Sequence, residues 1–253
     1  MDHEFFHRSD DPPAFETEAA AYCERRALDF RYLRAFRDYQ VAYSGTVVKD
    51  ASFLVRLGGE TVGLVFAPIE KRDANLSISS AGGYIPAPAT DNDAVEKAAF
   101  ARLDEIAKAA GVEKIVLNAC LSNHHWQWNR LRVYGYTDTS ALDAIVNLTL
   151  EETDLWLLLR RSYRSLINKY SDRNGCETII VNADRPNHDL HETYRQLHAE
   201  AAGRVTRDKA TFDLQYRMLL DGHATLMAIK CEDRKSTRLN SSHPSKSRMP
   251  SSA

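Results

Sequence analysis

Hydrophobic positions along the chain alternate between blocks of helical period and blocks of extended period. The opening residues, through Asp10-Asp11-Pro12-Pro13, are polar and predict a frayed start. Helices are expected over residues 16–26 and 29–41. In the second, Phe30, Leu33 and Phe36, then Tyr39 or Gln40, recur at the spacing of one helix face. Two β-rich runs, 52–57 and 61–66, flank Gly58-Gly59 and predict a hairpin, because glycine accepts the positive φ of a tight turn. A third strand is expected over 75–80. The stretch 81–88 contains Pro86 and Pro88, which argue against a helix or a central strand there. Asp91 or Asn92 is placed to cap a helix that runs to Ala110 and stops at Gly111, with Ala94, Ala98, Ala101, Ile106 and Ala109 as close-packing positions. Residues 114–117 read as a strand buried on both faces. A helix over 124–134, closed at Gly135, and a last strand over 144–150 complete a first block of mixed α/β type.

Thr153 opens a long expected helix over 154–172, with Gly175 beyond its end and an apolar stripe of Leu155, Leu158, Leu159, Leu166, Ile167 and Tyr170. A strand over 177–182, helices over 189–202 and 209–220 and a strand over 224–229 follow. Helix, helix, strand is also how the first block begins, so the chain reads as starting a second copy of the same unit. The expected organisation is an α+β mixed-sheet domain over 1–150, a linker helix over 151–175, an incomplete second domain over 176–232 and a disordered tail over 233–253.

That tail, beginning Asp233-Arg234-Lys235-Ser236-Thr237-Arg238 and ending Ser247-Arg248-Met249-Pro250-Ser251-Ser252-Ala253, resembles a short-read sequencing adapter translated in one frame. It is therefore read as non-native, with the authentic chain cut at about Glu232. The distinction changes the charge. All 253 residues carry 33 basic and 35 acidic side chains, net -2. Without the five basic and one acidic residues of the tail, 28 basic and 34 acidic remain, net -6. Neither balance suits a generally basic DNA-binding protein. A 43% hydrophobic and 27% charged chain has ample material for a buried core. No apolar run approaches the ~20 residues that span a bilayer, and Met1-Asp2-His3-Glu4 lacks the start of a signal peptide. A cytoplasmic location is expected. The separated cysteines Cys23, Cys120, Cys176 and Cys231 predict reduced thiols, neither a disulfide framework nor a zinc site.

Candidate chemistry concentrates in the second half. Arg160, Arg161, Arg164, Lys169 and Arg173 lie on the linker helix, where Arg160 and Arg164 would share a face suited to phosphate or carboxylate. A solvated basic face is the plainer alternative. Arg204, Arg207 and Lys209 flank a turn into a helix and form a second candidate anion site. Tyr163 is read either as orienting a substrate or as core. His124 and His125 point in different directions, and His188, His191 and His198 lack further ligands, so packing roles and no metal are expected. Cys120 reads as a structural thiol. No nucleophile elbow, zinc-protease, Walker or dinucleotide motif is present.

Several stretches resemble the FemAB-like branch of the GNAT acyltransferase superfamily, in which two such domains stand in tandem. They are Tyr43-Ser44-Gly45-Thr46-Val47-Val48-Lys49-Asp50-Ala51-Ser52-Phe53-Leu54-Val55, Leu159-Arg160-Arg161-Ser162-Tyr163-Arg164-Ser165-Leu166-Ile167-Asn168-Lys169 and Ala201-Ala202-Gly203-Arg204-Val205-Thr206-Arg207-Asp208-Lys209. Asn118 at a strand end and Arg132-Val133-Tyr134-Gly135-Tyr136 are similar to a general GNAT closing pattern. The resemblance implies transfer of an acyl or aminoacyl group from acyl-CoA or aminoacyl-tRNA to an amine of a cell-envelope or surface-sugar precursor. It implies Tyr163, Arg164, Lys169, Arg204, Arg207 and Lys209 as substrate-binding candidates and leaves the catalytic residues unassigned. One departure stands out. The stretch 81–92 has Gly82-Gly83 but no leading Arg or Gln, and Pro86 and Pro88 remove amide donors that a pyrophosphate would need. The first domain is therefore not expected to hold CoA in the usual way, and a non-catalytic binding or scaffold domain, or an inactive fragment lacking the donor site, is the alternative reading.

Overall fold

The computed structural model describes residues 3–119, 129–139, 146–170 and 175–231. The chain forms two units, one of Met1–Asp143 with Lys209–Met218, the other of Ala144–Asp208 with the chain from Leu219 onward. The class is mixed α/β, as the hydrophobic pattern predicts.

The first unit runs β1 (Glu4–His7), α1 (Pro12–Arg25), a 3-10 turn at Phe30–Tyr32, α2 (Arg34–Ser44), β2 (Val47–Asp50), β3 (Phe53–Leu57), β4 (Glu60–Val65), β5 (Pro68–Arg72) and β6 (Asn75–Ile78). It continues through β7 (Ile85–Pro86), β8 (Ala89–Thr90), α3 (Asp93–Ala110), β9 (Lys114–Ile115), β10 (Leu117–Asn118) and a 3-10 turn at Arg130–Tyr134. Strands β1, β3, β4 and β8 form one antiparallel sheet in that order, and β2, β5, β6 and β9 another in which β6 and β9 are parallel. The β3–β4 hairpin closes at Leu57↔Glu60, with Gly58 and Gly59 both at positive φ, as its sequence requires.

Alternation along β3 sends Leu54 to one face, with Phe15, Ala19 and Tyr22 of α1, and Phe53 and Val55 to the other, with Val95, Ala99, Phe100 and Leu103 of α3. The central strands are thus buried on both faces, each against a helix. Gly63 on β4 permits this closeness, because a Cβ there would lie 3.3 Å from both Val55 and Val95 side chains.

Several expectations are corrected. The start is not frayed: β1 pairs Glu4–His7 with Arg56–Phe53, and Phe5 meets Phe53 edge-on at 5.7 Å. Only two apolar residues carry that strand, too few to register as a period. α1 begins at Pro12, ahead of the expected 16, because Asp11 accepts from the Ala14 amide and the first helical turn needs no proline N–H. An extended Leu33 separates the 3-10 turn from α2, so 29–41 is not one helix. β5 was not expected. Strand pairing does run through the proline stretch. Ile85 and Ala87 donate to the Val116 and Asn118 carbonyls, and Pro86 sits between the two donors, where no N–H is required. Residues 114–117 are less buried than predicted, with Lys114 exposed and Ile115 and Val116 half-buried. Residues 146–150 form a turn rather than a strand, and Val146 and Leu148 are exposed. The expected helix at 124–128, the strand residues 144–145 and the tail 233–253 lie outside the described residues.

The second unit contains α4 (Glu152–Leu158), α5 (Arg161–Lys169), β11 (Cys176–Val181), α6 (His188–Ala202) and β12 (Leu226–Cys231). Helix α7 (Lys209–Leu220) lies for most of its length in the first unit, where Gln215 donates to the Tyr39 hydroxyl at 3.3 Å. The long linker helix is two helices, since Leu159 and Arg160 adopt extended backbone between them. The expectation of reduced thiols is corrected at one pair. Cys176 and Cys231 face each other in the last rung of the β11–β12 ladder and are disulfide-bonded, while Cys23 is free and buried.

A buried ionic knot ties the start of the first unit together. Arg37, 1% exposed, contacts Glu16 at 2.6 Å, and Arg8 reaches Glu16, Asp38 and Asp50 at 2.7, 2.8 and 2.7 Å. Arg37→Ala removes one of the two cations on the buried Glu16 carboxylate, leaving Arg8 alone against it, and is expected to cost about 3 kcal/mol in chemical denaturation, whereas an Arg37→Met, Glu16→Met double variant should cost less. Reduction of Cys176–Cys231, which closes a separation of 55 residues, is expected to destabilise the second unit by about 4 kcal/mol. Proteolysis with and without dithiothreitol should show new cuts in β11 and β12 but not in β3 and β4.

Candidate functional site

The turn at 80–83 opens the stretch 81–92, in which donor phosphates would be expected from the resemblance. It is held by a carboxylate of the chain itself. Glu70 on β5 is fully buried and accepts from the Ala81 amide at 2.6 Å, the Gly82 amide at 2.9 Å and the Ser79 hydroxyl at 2.6 Å. The Ser44 hydroxyl, at the end of α2, also donates to it. The Gly83 amide is taken by the Ser80 carbonyl at 2.7 Å. Gly82 has φ +73°, the left-handed conformation that turns successive amides toward one point. This amide nest has the form of an anion site, and its anion is Glu70. Burial pushes the Glu70 carboxyl upward, but the hydrogen bonds from Ser44, Ser79, Gly82 and Ala81 outweigh it and hold the group below the ordinary carboxylate value.

The N-terminus of α3 is committed as well. Asn92 caps it, accepting from the Ala94 and Val95 amides at 3.0 and 3.1 Å. Asp93 and Glu96 put two carboxylates into the first turn, where they satisfy the helix dipole and oppose an incoming phosphate.

Beyond that turn, a cavity of about 1160 Å³ opens along α3, β9, β10 and the Arg130–Tyr134 turn. Its floor is aromatic: Phe100 stacks on Tyr134 at 3.9 Å and meets Tyr136 at 5.9 Å. The buried Glu96 accepts from the Tyr134 hydroxyl at 2.5 Å and lies 3.4 Å from Arg130, which also holds Asp93 at 2.5 Å. Burial, and then Glu96, push the Tyr134 hydroxyl far above its ordinary value, so it stays a protonated donor. Asp104, Glu113, Lys97 and Lys114 supply charges of both signs around the rings. Such a surface can stack a flat or aliphatic group and hold an ammonium near a carboxylate.

The sequence-selected residues lie elsewhere. Tyr163, Arg164 and Lys169 share α5, with Tyr163 56% exposed and so not core. Arg160 precedes that helix with extended backbone, which removes the helical face it was expected to share with Arg164. Arg204 and Arg207 lie in the turn after α6, capped by Gly203. Lys209, assigned to the first unit, pairs with Asp213 at 2.6 Å one turn along α7. His191 is buried with its ring against Tyr194, and among the described residues no group of three His, Cys, Asp or Glu is arranged to hold a metal. Cys120, His124 and His125 lie outside the described residues.

No protein-family model matches the chain, and no curated protein aligns with it. The reading of the site therefore rests on these side chains. Sequence reasoning missed Glu70 and Glu96. The signal for Glu70 was a carboxylate directly after the apolar run Phe66-Ala67-Pro68-Ile69, ahead of the small residues Ser79 to Gly83.

Because Glu70 is depressed in the folded state, its contribution is whole above the unfolded value of about 4.5 and is lost as pH falls below it. Glu70→Gln is expected to flatten the acid limb of thermal stability between about pH 5 and 3. Glu70→Ala, which leaves two amides without an acceptor, is expected to cost about 3 kcal/mol at neutral pH.

Proposed function

We propose that the chain is part of an acyl- or aminoacyl-transferring protein whose first unit serves the amine-bearing acceptor and not the activated donor. The chemistry is attack of a primary amine on an acyl carbon, with loss of the amine proton and departure of the CoA thiol or the tRNA hydroxyl. Such a step depends on positioning and on donors facing the developing oxyanion. One observation carries the assignment of roles: the amides at 81 and 82, which a donor pyrophosphate would need, already bind the Glu70 carboxylate. The order of elements through α3, with a parallel strand after it, supports the family resemblance. The aromatic cavity with Asp104 and Glu113 on its rim supports acceptor binding. An envelope or surface-sugar precursor carrying an amine fits that lining. In the second unit, Arg204 and Arg207 in their turn remain candidates for an anionic part of a substrate.

The committed amides also favour a second reading, a unit that binds an acceptor and performs no transfer. Calorimetry on the full chain separates the cases. Acyl-CoA is expected to show no binding that inorganic pyrophosphate displaces, while an amino-sugar precursor should bind and lose at least tenfold in affinity with Phe100→Ala. Glu70→Ala, with its two amides released, should gain weak binding of inorganic pyrophosphate. Acyl-CoA binding to the unaltered chain that pyrophosphate displaces would overturn the assignment. Acceptor binding without transfer, when acyl-CoA and charged tRNA are both supplied, would leave the second reading.

A further inference from the structure

Helix α5 presents its apolar residues outward. Tyr163, Leu166, Ile167 and Tyr170 are 56, 48, 48 and 39% exposed. At about 100° per residue these four fall within one arc of about 100°. The remaining surface of the helix carries Arg161, Ser162, Arg164, Ser165, Asn168 and Lys169. From Arg160 through Tyr170 the chain has four basic residues and no carboxylate. Lys169 sets its Nζ over the Tyr170 ring, 5.4 Å from the ring centroid, which places a cation beside the aromatic end of the stripe. The nearest carboxylates of the preceding segment, Glu151, Glu152 and Asp154, belong to the start of α4, across the break at Leu159.

We infer that α5 docks on the surface of an anionic lipid bilayer, lying in the headgroup plane with Tyr163, Leu166, Ile167 and Tyr170 directed into it. Charge decides the occupant. An apolar stripe bordered by cations complements phosphate headgroups. A second copy of the same helix would bring arginine against arginine. The two tyrosines stand at either end of the Leu166-Ile167 pair, each with an apolar ring and a polar tip, which is the arrangement that settles at a membrane–water boundary. The helix has nine residues and is far too short to span, and among the described residues no helix is long and apolar enough to cross a membrane. The contact is peripheral and reversible.

The test is co-sedimentation of the full chain with vesicles of phosphatidylglycerol and phosphatidylcholine, compared with phosphatidylcholine alone. Binding is expected only to the anionic vesicles and should weaken as salt rises. Arg160→Glu with Arg161→Glu places acids at a helix N-terminus, where the dipole favours them, so the helix is kept while its cations are reversed. At roughly fivefold per charge, this variant should lose at least an order of magnitude in partitioning. Leu166→Asn with Ile167→Asn changes exposed residues only and should lose binding with an unchanged circular dichroism spectrum. The five basic residues of 233–253 are present in every variant, so retention of binding in both would assign it to that tail and overturn the inference. Equal binding to neutral vesicles would overturn it too. Self-association in the absence of lipid, abolished by the Leu166 and Ile167 changes, would replace the bilayer with a protein partner.

Discussion

The first unit depends on how one buried carboxylate is satisfied. Glu70 sits in the sheet with no access to water, and a charge so placed is tolerable only when every oxygen is hydrogen-bonded. Its four donors come from three separate parts of the chain: the end of α2, the strand-edge Ser79 and the turn at 81–82. Satisfying Glu70 thereby fixes where α2 ends, where β6 stops and how the chain turns toward β7. The same bonds determine what the turn can do. A nest of amides attracts an anion wherever it forms, and here the attraction is consumed internally. The departure visible in the sequence, glycines without a leading Arg or Gln, thus has a physical counterpart beyond missing donors.

Much of the first unit was legible because its signals are local. Gly58-Gly59 between two β-rich runs specifies a hairpin through backbone sterics alone, and the hairpin is there. Asn92 and Gly111 bound α3 for the same kind of reason, one as a side-chain acceptor and the other in left-handed backbone. What was hidden depends on partners distant in sequence. β1 exists because Phe5 and Phe6 find opposite faces of β3 and because Arg8 finds Asp38 and Asp50. The proline stretch joins a ladder because β10, about thirty residues later, supplies carbonyls opposite Ile85 and Ala87. The candidate site was least legible, since Glu70 and Glu96 matter through burial, which no single-residue pattern reveals. The break at Leu159 lies between these cases. Its flanks are strong helix formers, and its extended backbone reflects no proline or glycine.

The sequence-selected cations and the structural cavity are alternatives of different physical kind. Arg164, Lys169, Arg204 and Arg207 lie on a helix or in a turn, Lys169 and Arg204 exposed and Arg164 and Arg207 half-buried, so solvent screens much of each charge. The cavity of the first unit spends buried groups on its shape: Glu96 orients Tyr134, and Arg130 bridges Glu96 to Asp93. A carboxylate without exposure that positions an aromatic hydroxyl is an expensive arrangement for packing alone. That contrast favours the first unit for the proposed acceptor role, and it matches the basic surface of α5 better to a diffuse anionic layer than to a discrete substrate.

The two units solve the burial of strands in opposite ways, and the difference accounts for where apolar surface remains. β3 and β4 have helices on both faces, so Phe53, Leu54 and Val55 all lose contact with water. At about 25 cal/mol per Å² of apolar area, that sandwich supplies the core without covalent help. Among the described residues β11 and β12 pair only with each other, and Met227 and Ile229 remain exposed. A two-stranded ladder is marginal in water by itself. Val181 is fully buried at one end of the ladder, and Cys176 and Cys231 are covalently joined at the other. The disulfide therefore stands in for the missing face of the sheet, restricting the unfolded chain where apolar burial cannot reward the folded one. A unit stabilised in this way can leave an apolar helix face such as that of α5 open to solvent without losing its strands, because the strands do not rely on that face for their stability.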